Sequence, residues 1–134
     1  MKTFTLILLA SLLFVGCKKE DNEQDDMTTQ YDGTYSGTFT RTGMSTSNVM
    51  LNLEHHQFDG TSDVTKYPAI GRGSFQTSGN TITFVDSTSW TADFDWTLIL
   101  NGTYSISRVD DMNIKISRAN GNVTDEYLLR KIVR

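Results

Sequence analysis

The fold class is decided by a stretch that alternates strictly between two kinds of residue, Gly33-Thr34-Tyr35-Ser36-Gly37-Thr38-Phe39-Thr40. Glycine and aromatic residues occupy the odd positions, and serine or threonine occupies the even positions. Because successive side chains of a β-strand point to opposite faces, this pattern predicts a half-buried strand. The aromatic rings are expected on its inner face.

The same alternation recurs along the rest of the chain, and no later window carries the apolar stripe of an amphipathic helix. Further strands are predicted around residues 49–53, 70–75, 82–84, 96–106, 112–116 and 123–133. Turn dipeptides separate several of these segments, namely Gly79-Asn80, Asp110-Asp111 and Asn120-Gly121. The pattern therefore predicts an all-β fold.

About eight strands in up-and-down order can close into a small barrel with a filled or ligand-sized interior. Closure is favoured because it removes exposed sheet edges and because glycines recur where strands must bend. These inward glycines are Gly33, Gly37, Gly71, Gly73 and Gly102. We predict an antiparallel barrel over residues 31–134, with a two-sheet sandwich as the alternative. The predicted inner face holds Tyr35, Phe39, Leu51, Phe75, Phe84, Trp96, Leu98, Leu100, Tyr104, Ile114 and Ile116.

The start of the chain has the pattern of a bacterial lipoprotein leader. Lys2 gives a positive start, and residues 4–15 are almost wholly apolar. This run is too short for a membrane span of about 20 residues. Gly16 precedes Cys17, and residues 13–17 resemble a lipobox, which implies lipidation of the cysteine. We predict a signal peptide over residues 1–16 and a lipidated Cys17, with an ordinary secretory signal as the alternative.

Residues 17–30 are predicted to form a disordered acidic tether, because residues 18–26 contain no apolar side chain. Acyl chains on Cys17 would anchor the protein in a lipid bilayer, with about 0.8 kcal/mol from each buried CH₂. Lys19, Glu20 and Asp21 resemble a signal that sends Gram-negative lipoproteins to the cell surface. The expected location is the outer membrane of a Gram-negative bacterium. A plain solvated spacer is the alternative to the export signal.

Charge and cysteine content exclude several functions. The chain has 12 Lys and Arg and 16 Asp and Glu, so the loss of Lys2 leaves 11 against 16, a net charge of −5. This acidity argues against a nucleic-acid partner, which requires clustered Lys and Arg. Cys17 is the only cysteine, so the chain can form no internal disulfide and has no thiol for catalysis or metal binding after lipidation.

Three segments, residues 31–39, 100–104 and 127–131, resemble the small lipocalin-like (calycin-type) barrels of bacterial lipoproteins. The resemblance implies a barrel scaffold and an apolar ligand, and it transfers no catalytic residue and no cofactor. The inward aromatic residues would line the ligand site, namely Tyr35, Phe39, Phe75, Phe84, Trp96 and Tyr104. Trp90 and Phe94 lie in a polar loop and are a candidate lid over the barrel mouth. The alternative is a loop tucked onto the core.

Other candidate sites carry weaker patterns. Adjacent strand residues point to opposite faces, so His55 and His56 are expected to face solvent at a strand end rather than share a metal ion.

Asp93 and Asp95, with Asp86 nearby, could suggest a calcium site or a pair of catalytic carboxylates. The segment lacks the glycine and the distal glutamate of an EF-hand loop. Paired acids alone do not specify glycoside hydrolysis. A solvated loop is therefore expected.

Ser87 is a candidate O-glycosylation site, because Asp86-Ser87-Thr88 resembles a short bacterial acceptor motif. A solvent-facing hydroxyl is the alternative. The chain has no Gly-x-Ser-x-Gly elbow and no other catalytic constellation, so we predict that it is not an enzyme.

Two functions remain open. The first is a binding module that holds a small apolar ligand or contacts a partner protein. The second is a filled barrel that presents its loops to another protein, as small protease inhibitors of bacterial envelopes do. The volume of the interior discriminates between them, and a barrel of this size has little spare volume.

Overall fold

In the computed structural model, eight antiparallel strands close into a single barrel in sequential order. The structure describes residues 16, 29–91 and 93–133. Each strand is hydrogen-bonded to the next, and the last strand pairs with the first. The predicted up-and-down barrel is therefore confirmed, and the sandwich alternative is wrong. The strands are β1 (Gly33–Arg41), β2 (Ser47–Glu54), β3 (Gln57–Ser62), β4 (Arg72–Ser78), β5 (Thr81–Asp86), β6 (Gly102–Arg108), β7 (Asn113–Asn120) and β8 (Val123–Lys131).

Two short 3₁₀ turns complete the described elements. The first (Thr29–Tyr31) precedes β1 and begins within the segment predicted as tether. The second (Trp96–Leu98) lies between β5 and β6. The long strand predicted over residues 96–106 is wrong in its first half. The Asp95 side chain accepts a hydrogen bond from the backbone N–H of Thr97 and caps the 3₁₀ turn, which removes these residues from strand alternation.

The burial pattern confirms the predicted inner face with one exception. Ten of the eleven side chains placed there are buried. Trp96 is the exception, because its side chain lies on the capped turn and is 54% exposed. The sequence pattern also missed β3, in which Phe58 is the one large apolar side chain. A strand with a single large inward residue shows no periodicity.

Aromatic side chains fill the middle of the barrel. Tyr127 contacts Phe39 at a ring-centroid distance of 4.8 Å and Tyr104 at 6.3 Å. Phe84 contacts Tyr104 at 5.8 Å and Phe58 at 5.1 Å. All five rings are at most 3% exposed. These contacts form one continuous path of packed rings across the interior, and edge-to-face packing of this kind adds to the free energy of burial.

Inward glycines mark the places where neighbouring strands approach most closely. A Cβ atom at Gly37 would clash with the carbonyl oxygen of Leu128, and one at Gly73 would clash with the carbonyl oxygen of Val85. Glycine is therefore required at these two positions, where β1 pairs closely with β8 and where β4 pairs closely with β5. This agrees with the prediction that the glycines serve the curvature of a closed barrel.

The up-and-down order places the connections alternately at the two ends of the barrel. One end, here named the open end, carries residues 42–46, 63–71, 87–91, 93–101 and 121–122. The other, here named the closed end, carries the first 3₁₀ turn and residues 55–56, 79–80 and 109–112. Tyr31 closes the latter end. It is 6% exposed, its carbonyl accepts a hydrogen bond from the Tyr35 hydroxyl at 2.7 Å, and the Arg108 guanidinium lies 5.5 Å from its ring centre. Thr29, with which this 3₁₀ turn begins, therefore lies at the closed end.

Candidate functional site

A cleft of about 880 Å³ lies at the open end of the barrel. Its walls come from the end of β1, the loop before β6, the end of β7 and the start of β8. The residues that give it chemical character are Arg41, Asp95, Trp96, Arg118, Asn120 and Asp125. Arg41 of β1 lies directly opposite Asp125 of β8 in the strand register, and both side chains point inward. The two side chains therefore meet above the aromatic core.

Arg41 acts as a structural clamp at the base of the cleft. Its Nε and Nη2 atoms donate to the two carboxylate oxygens of Asp125 at 2.6 Å and 2.7 Å. Its remaining N–H groups donate to Asp95 Oδ2, Thr97 Oγ1 and the Thr97 carbonyl at 2.9–3.1 Å. All five guanidinium donors are thus used. The hydrogen bond to Asp125 also raises the pKa of Arg41, so this charge is permanent.

Arg118 differs from Arg41 because it keeps unused donors. Its Nη1 donates to the Asn101 carbonyl at 2.8 Å and its Nη2 to the Thr97 carbonyl at 3.3 Å. The guanidinium lies 4.3 Å from the centre of the Tyr104 ring, a cation–π distance. Its separation from Asp125 Oδ2 is 3.9 Å, which is too long for a hydrogen bond. The other N–H groups of this partly exposed side chain have no hydrogen-bond partner among the described residues.

Trp96 is held rigidly although its side chain is half exposed. The indole Nε1 donates to the Thr91 carbonyl at 3.2 Å. Asp95 and Thr97, which flank Trp96 in the chain, are bonded to each other. Asp95 Oδ1 accepts hydrogen bonds from the backbone N–H and the hydroxyl of Thr97 at 2.9 Å and 2.6 Å. These hydrogen bonds also hold the pKa of the Asp95 carboxyl below its usual value. The prediction that Trp96 lines the interior is wrong, and the residue instead lines the cleft.

The other five residues that were predicted to line a ligand site do not line a cavity. Tyr35, Phe39, Phe75, Phe84 and Tyr104 are each at most 3% exposed and belong to one packed cluster. Burial raises the pKa of Tyr104 to about 12, which is expected of a phenol removed from water. The structure therefore places these side chains in the core and separates them from the open-end cleft.

The candidate lid residues pack against each other beside the cleft. Trp90 and Phe94 are half-buried with ring centroids 5.6 Å apart, and neither lines the cleft. Trp90 Nε1 donates to Asp86 Oδ2 at 2.6 Å. Lys66 Nζ lies 4.7 Å from the Phe94 ring centre and donates to Thr91 Oγ1 at 2.8 Å, which ties this loop to residues 63–71. This arrangement matches a satellite cluster more closely than a cover over the mouth.

The two histidines lie in a hairpin turn rather than at a strand end. His55 and His56 connect β2 to β3 with φ angles of 47° and 65°, both in the left-handed region. Such angles are typical of a two-residue type I′ turn. Both side chains are exposed, as predicted. Among the residues that the structure describes, no group of three or more His, Cys, Asp or Glu side chains could hold a metal ion.

The loop carboxylates serve local hydrogen bonds. Asp93 accepts from the Thr91 hydroxyl, which lowers the pKa of the Asp93 carboxyl, and from Lys66. Asp86 accepts from Trp90 through Oδ2, whereas its Oδ1 is buried without a partner within the described ranges. Ser87 is exposed, and its hydroxyl donates to the Arg72 carbonyl at 3.0 Å.

The predicted lipidation residue Cys17 and the predicted export residues Lys19, Glu20 and Asp21 lie outside the described residues. Within the described part of the chain, no helix has the length and apolar character needed to cross a membrane. Comparisons with protein-family models, with curated proteins and with solved structures find no match for this chain.

Proposed function

We propose that this chain is a lipid-anchored, lipocalin-like lipoprotein of the outer membrane that binds its ligand or partner through the open-end cleft. In this proposal the barrel is a filled scaffold. It is not a container for an apolar molecule, and it has no catalytic role. The observation that carries the proposal is the contrast between a core of packed rings and a cleft with a half-exposed tryptophan and unused hydrogen-bond donors.

The packed core supports a scaffold role. A ligand inside the barrel would have to displace side chains such as Phe84 and Tyr127, which contact their neighbours on several sides. Separating such rings forfeits close packing over their whole surface, at a cost of several kcal/mol for each large side chain. A binding site outside the core avoids this cost. The cleft offers such a site without any change in the core.

The position of the first strand supports the orientation. The predicted anchor at Cys17 precedes the 3₁₀ turn that closes one end of the barrel. The cleft lies at the opposite end. A lipid anchor would therefore attach at the end of the barrel opposite the cleft, which leaves the cleft accessible to a ligand or another envelope protein. If Lys19, Glu20 and Asp21 act as an export signal, that side faces the cell exterior.

The chemistry of the cleft favours binding over catalysis. The pKa of the Asp95 carboxyl is lowered by the hydrogen bonds from Thr97, so Asp95 is ionised at neutral pH and cannot donate a proton. Arg41 and Asp125 satisfy each other in a bidentate pair. These groups hold the loop in place and leave no matched acid and base in the cleft.

Binding of an apolar dye tests the filled scaffold. Residues 29–134 contain every strand of the closed barrel, so this fragment is suitable for the measurement. We expect no saturable emission when 1-anilinonaphthalene-8-sulfonate is added to the folded fragment. Emission that saturates at one dye per barrel, and persists in Trp96→Ala, would show an interior site and overturn the proposal.

The anchor is tested separately by metabolic labelling with a clickable fatty acid. The wild-type chain should incorporate the label, and Cys17→Ala should not. Label retained by Cys17→Ala would contradict lipidation at this residue. Replacement of Lys19, Glu20 and Asp21 by alanine should leave the label in place and remove access of external protease to intact cells. Unchanged protease access would reduce this segment to a spacer.

A further inference from the structure

We propose that the open-end cleft binds a neutral saccharide, whose pyranose ring stacks on Trp96 and whose hydroxyl groups are hydrogen-bonded by Arg118, Asn120 and Asp95. This inference rests on the proposed function, because it names the ligand class of the same cleft. It is carried by three features of the cleft: a half-exposed aromatic side chain, polar groups that can accept or donate further hydrogen bonds, and a small excess of carboxylates over guanidinium groups.

The first feature is a flat apolar surface in a polar setting. Trp96 is 54% exposed and lines the cleft, together with the exposed apolar side chains Met44 (54%) and Val123 (40%). Each of the three comes from a different loop or strand end. Apolar side chains that line a concave site together with a few polar groups are typical of a ligand pocket. A pyranose ring presents a face of C–H groups, which packs against an indole ring as other apolar groups do.

The second feature is a set of polar groups that the fold leaves available. The Arg118 guanidinium uses two of its five N–H groups in hydrogen bonds to carbonyl oxygens. The side-chain amide of Asn120 makes no hydrogen bond within the described residues. The Asp95 side chain is 53% exposed, and its Oδ2 accepts one hydrogen bond, from Arg41, so it can accept a second. Guanidinium groups donate, carboxylates accept and amides do both. Sugar hydroxyls also both donate and accept, so they complement this mixture.

The third feature is the charge of the cleft. Arg41 and Arg118 are balanced by Asp95 and Asp125, and Asp86 also lines the cleft. The two positive charges are therefore met by three carboxylates. A phosphate or carboxylate ligand would be repelled by this arrangement, whereas a neutral polyhydroxyl ligand would not be.

The clamp around Trp96 gives the site its rigidity. Arg41 holds Asp95 and Thr97, which flank the indole on both sides, and the indole N–H is bound to the Thr91 carbonyl. An aromatic surface fixed in this way loses little conformational entropy when a ligand stacks on it. The buried ion pair below the loop thus has a role in binding as well as in folding.

The test is a glycan array that carries neutral and acidic oligosaccharides, probed with the acylated full-length protein in lipid nanodiscs. We expect retention on neutral glycans, followed by isothermal titration with the best neutral oligosaccharide. Trp96→Ala should weaken that binding by about tenfold or more, and Asn120→Ala by about fivefold. Trp96→Phe, which keeps an aromatic face, should stay within a few-fold of wild type.

Val109→Ala is the matched control, because Val109 is an exposed apolar residue at the closed end. It should leave binding unchanged. The inference is overturned by binding to no neutral glycan, by binding to acidic glycans alone, or by unchanged binding in Trp96→Ala. If glycan binding fails while the apolar dye is still excluded, the saccharide is wrong and the filled scaffold stands. If the dye enters the interior, the proposed function itself has failed.

Discussion

The two ends of the barrel differ in how far an aromatic residue is buried and in what an arginine near that end contacts. At the closed end Tyr31 is buried at 6% exposure, and Arg108 covers it while donating to the Gln30 carbonyl at 2.8 Å. At the open end Trp96 is 54% exposed, and Arg118 retains unused donors. An aromatic residue and an arginine occur at both ends. The closed end uses them to cover the core, whereas the open end presents them to solvent.

The two ends therefore contribute differently to the stability of this small domain. The rings of the core pack against one another, and Arg108 joins Gln30 and Tyr31 at the closed end, so changes there should cost stability. The open end combines a satisfied clamp at Arg41 with unsatisfied groups above it. Exposed apolar surface and unused donors contribute little to folding, and they are the basis of the binding role proposed for the open end.

Loss of a ring from the shared core should have the largest effect. Phe84→Ala removes a fully buried ring that contacts Phe58, Phe75 and Tyr104. We expect the free energy of unfolding to fall by about 3–5 kcal/mol, measured by urea denaturation. Met50→Ala on the outer face of β2 is the control and should change it by less than about 0.5 kcal/mol. An equal loss of unfolding free energy in Phe84→Ala and Met50→Ala would show that the interior is not packed.

Loss of the ion pair between Arg41 and Asp125 should have the next largest effect on the free energy of unfolding. Arg41→Met leaves the Asp125 carboxylate buried without its bidentate partner, which should cost about 3–4 kcal/mol in urea denaturation. The nearby Arg118 offers only partial compensation at 3.9 Å. Arg130→Met, on the exposed face of β8, should leave stability unchanged. A loss below 1 kcal/mol in Arg41→Met would mean that the ion pair does not hold the open end together.

The two end aromatics give the sharpest contrast. Tyr31→Ala should lower the free energy of unfolding by about 3 kcal/mol, because it exposes the core at the closed end. Trp96→Ala should lower it by about 1–2 kcal/mol, since it removes one hydrogen bond, the ring contact with Phe94 and a ring that is only half buried. Thermal unfolding of both variants compares them directly. A reversed order would contradict the distinction between the two ends.

Stability should also fall at high pH because of the buried phenols. Burial raises the pKa of Tyr104 to about 12 in the folded state, against 10.0 for an exposed tyrosine. The folded state therefore resists ionisation that the unfolded chain undergoes. The stability from this group is fully present below pH 10 and is lost as pH rises through 12, about 2–3 kcal/mol in all. Tyr104→Phe should show a smaller loss over that range in pH-dependent urea denaturation.

Strand alternation predicted most of the barrel because one face of nearly every strand is buried. The segments around Tyr35 and Phe84 were placed correctly for that reason. The open end was not predictable in the same way. Trp96 has the parity of Leu98 and Leu100, but a single cap from Asp95 takes it out of the strand. The Arg41–Asp125 pair joins residues 84 positions apart and depends on the register of β1 against β8, which alternation does not encode.

A filled interior is the property that makes this barrel a scaffold instead of a container for an apolar ligand. Methyl NMR of residues 29–134 measures it, with lauric acid as the apolar ligand and with interior reporters on Ile106, Ile114 and Leu129. We expect that these resonances do not move at saturating lauric acid. Saturable shifts of the three interior methyl groups, with a stoichiometry of one ligand per barrel, would contradict it.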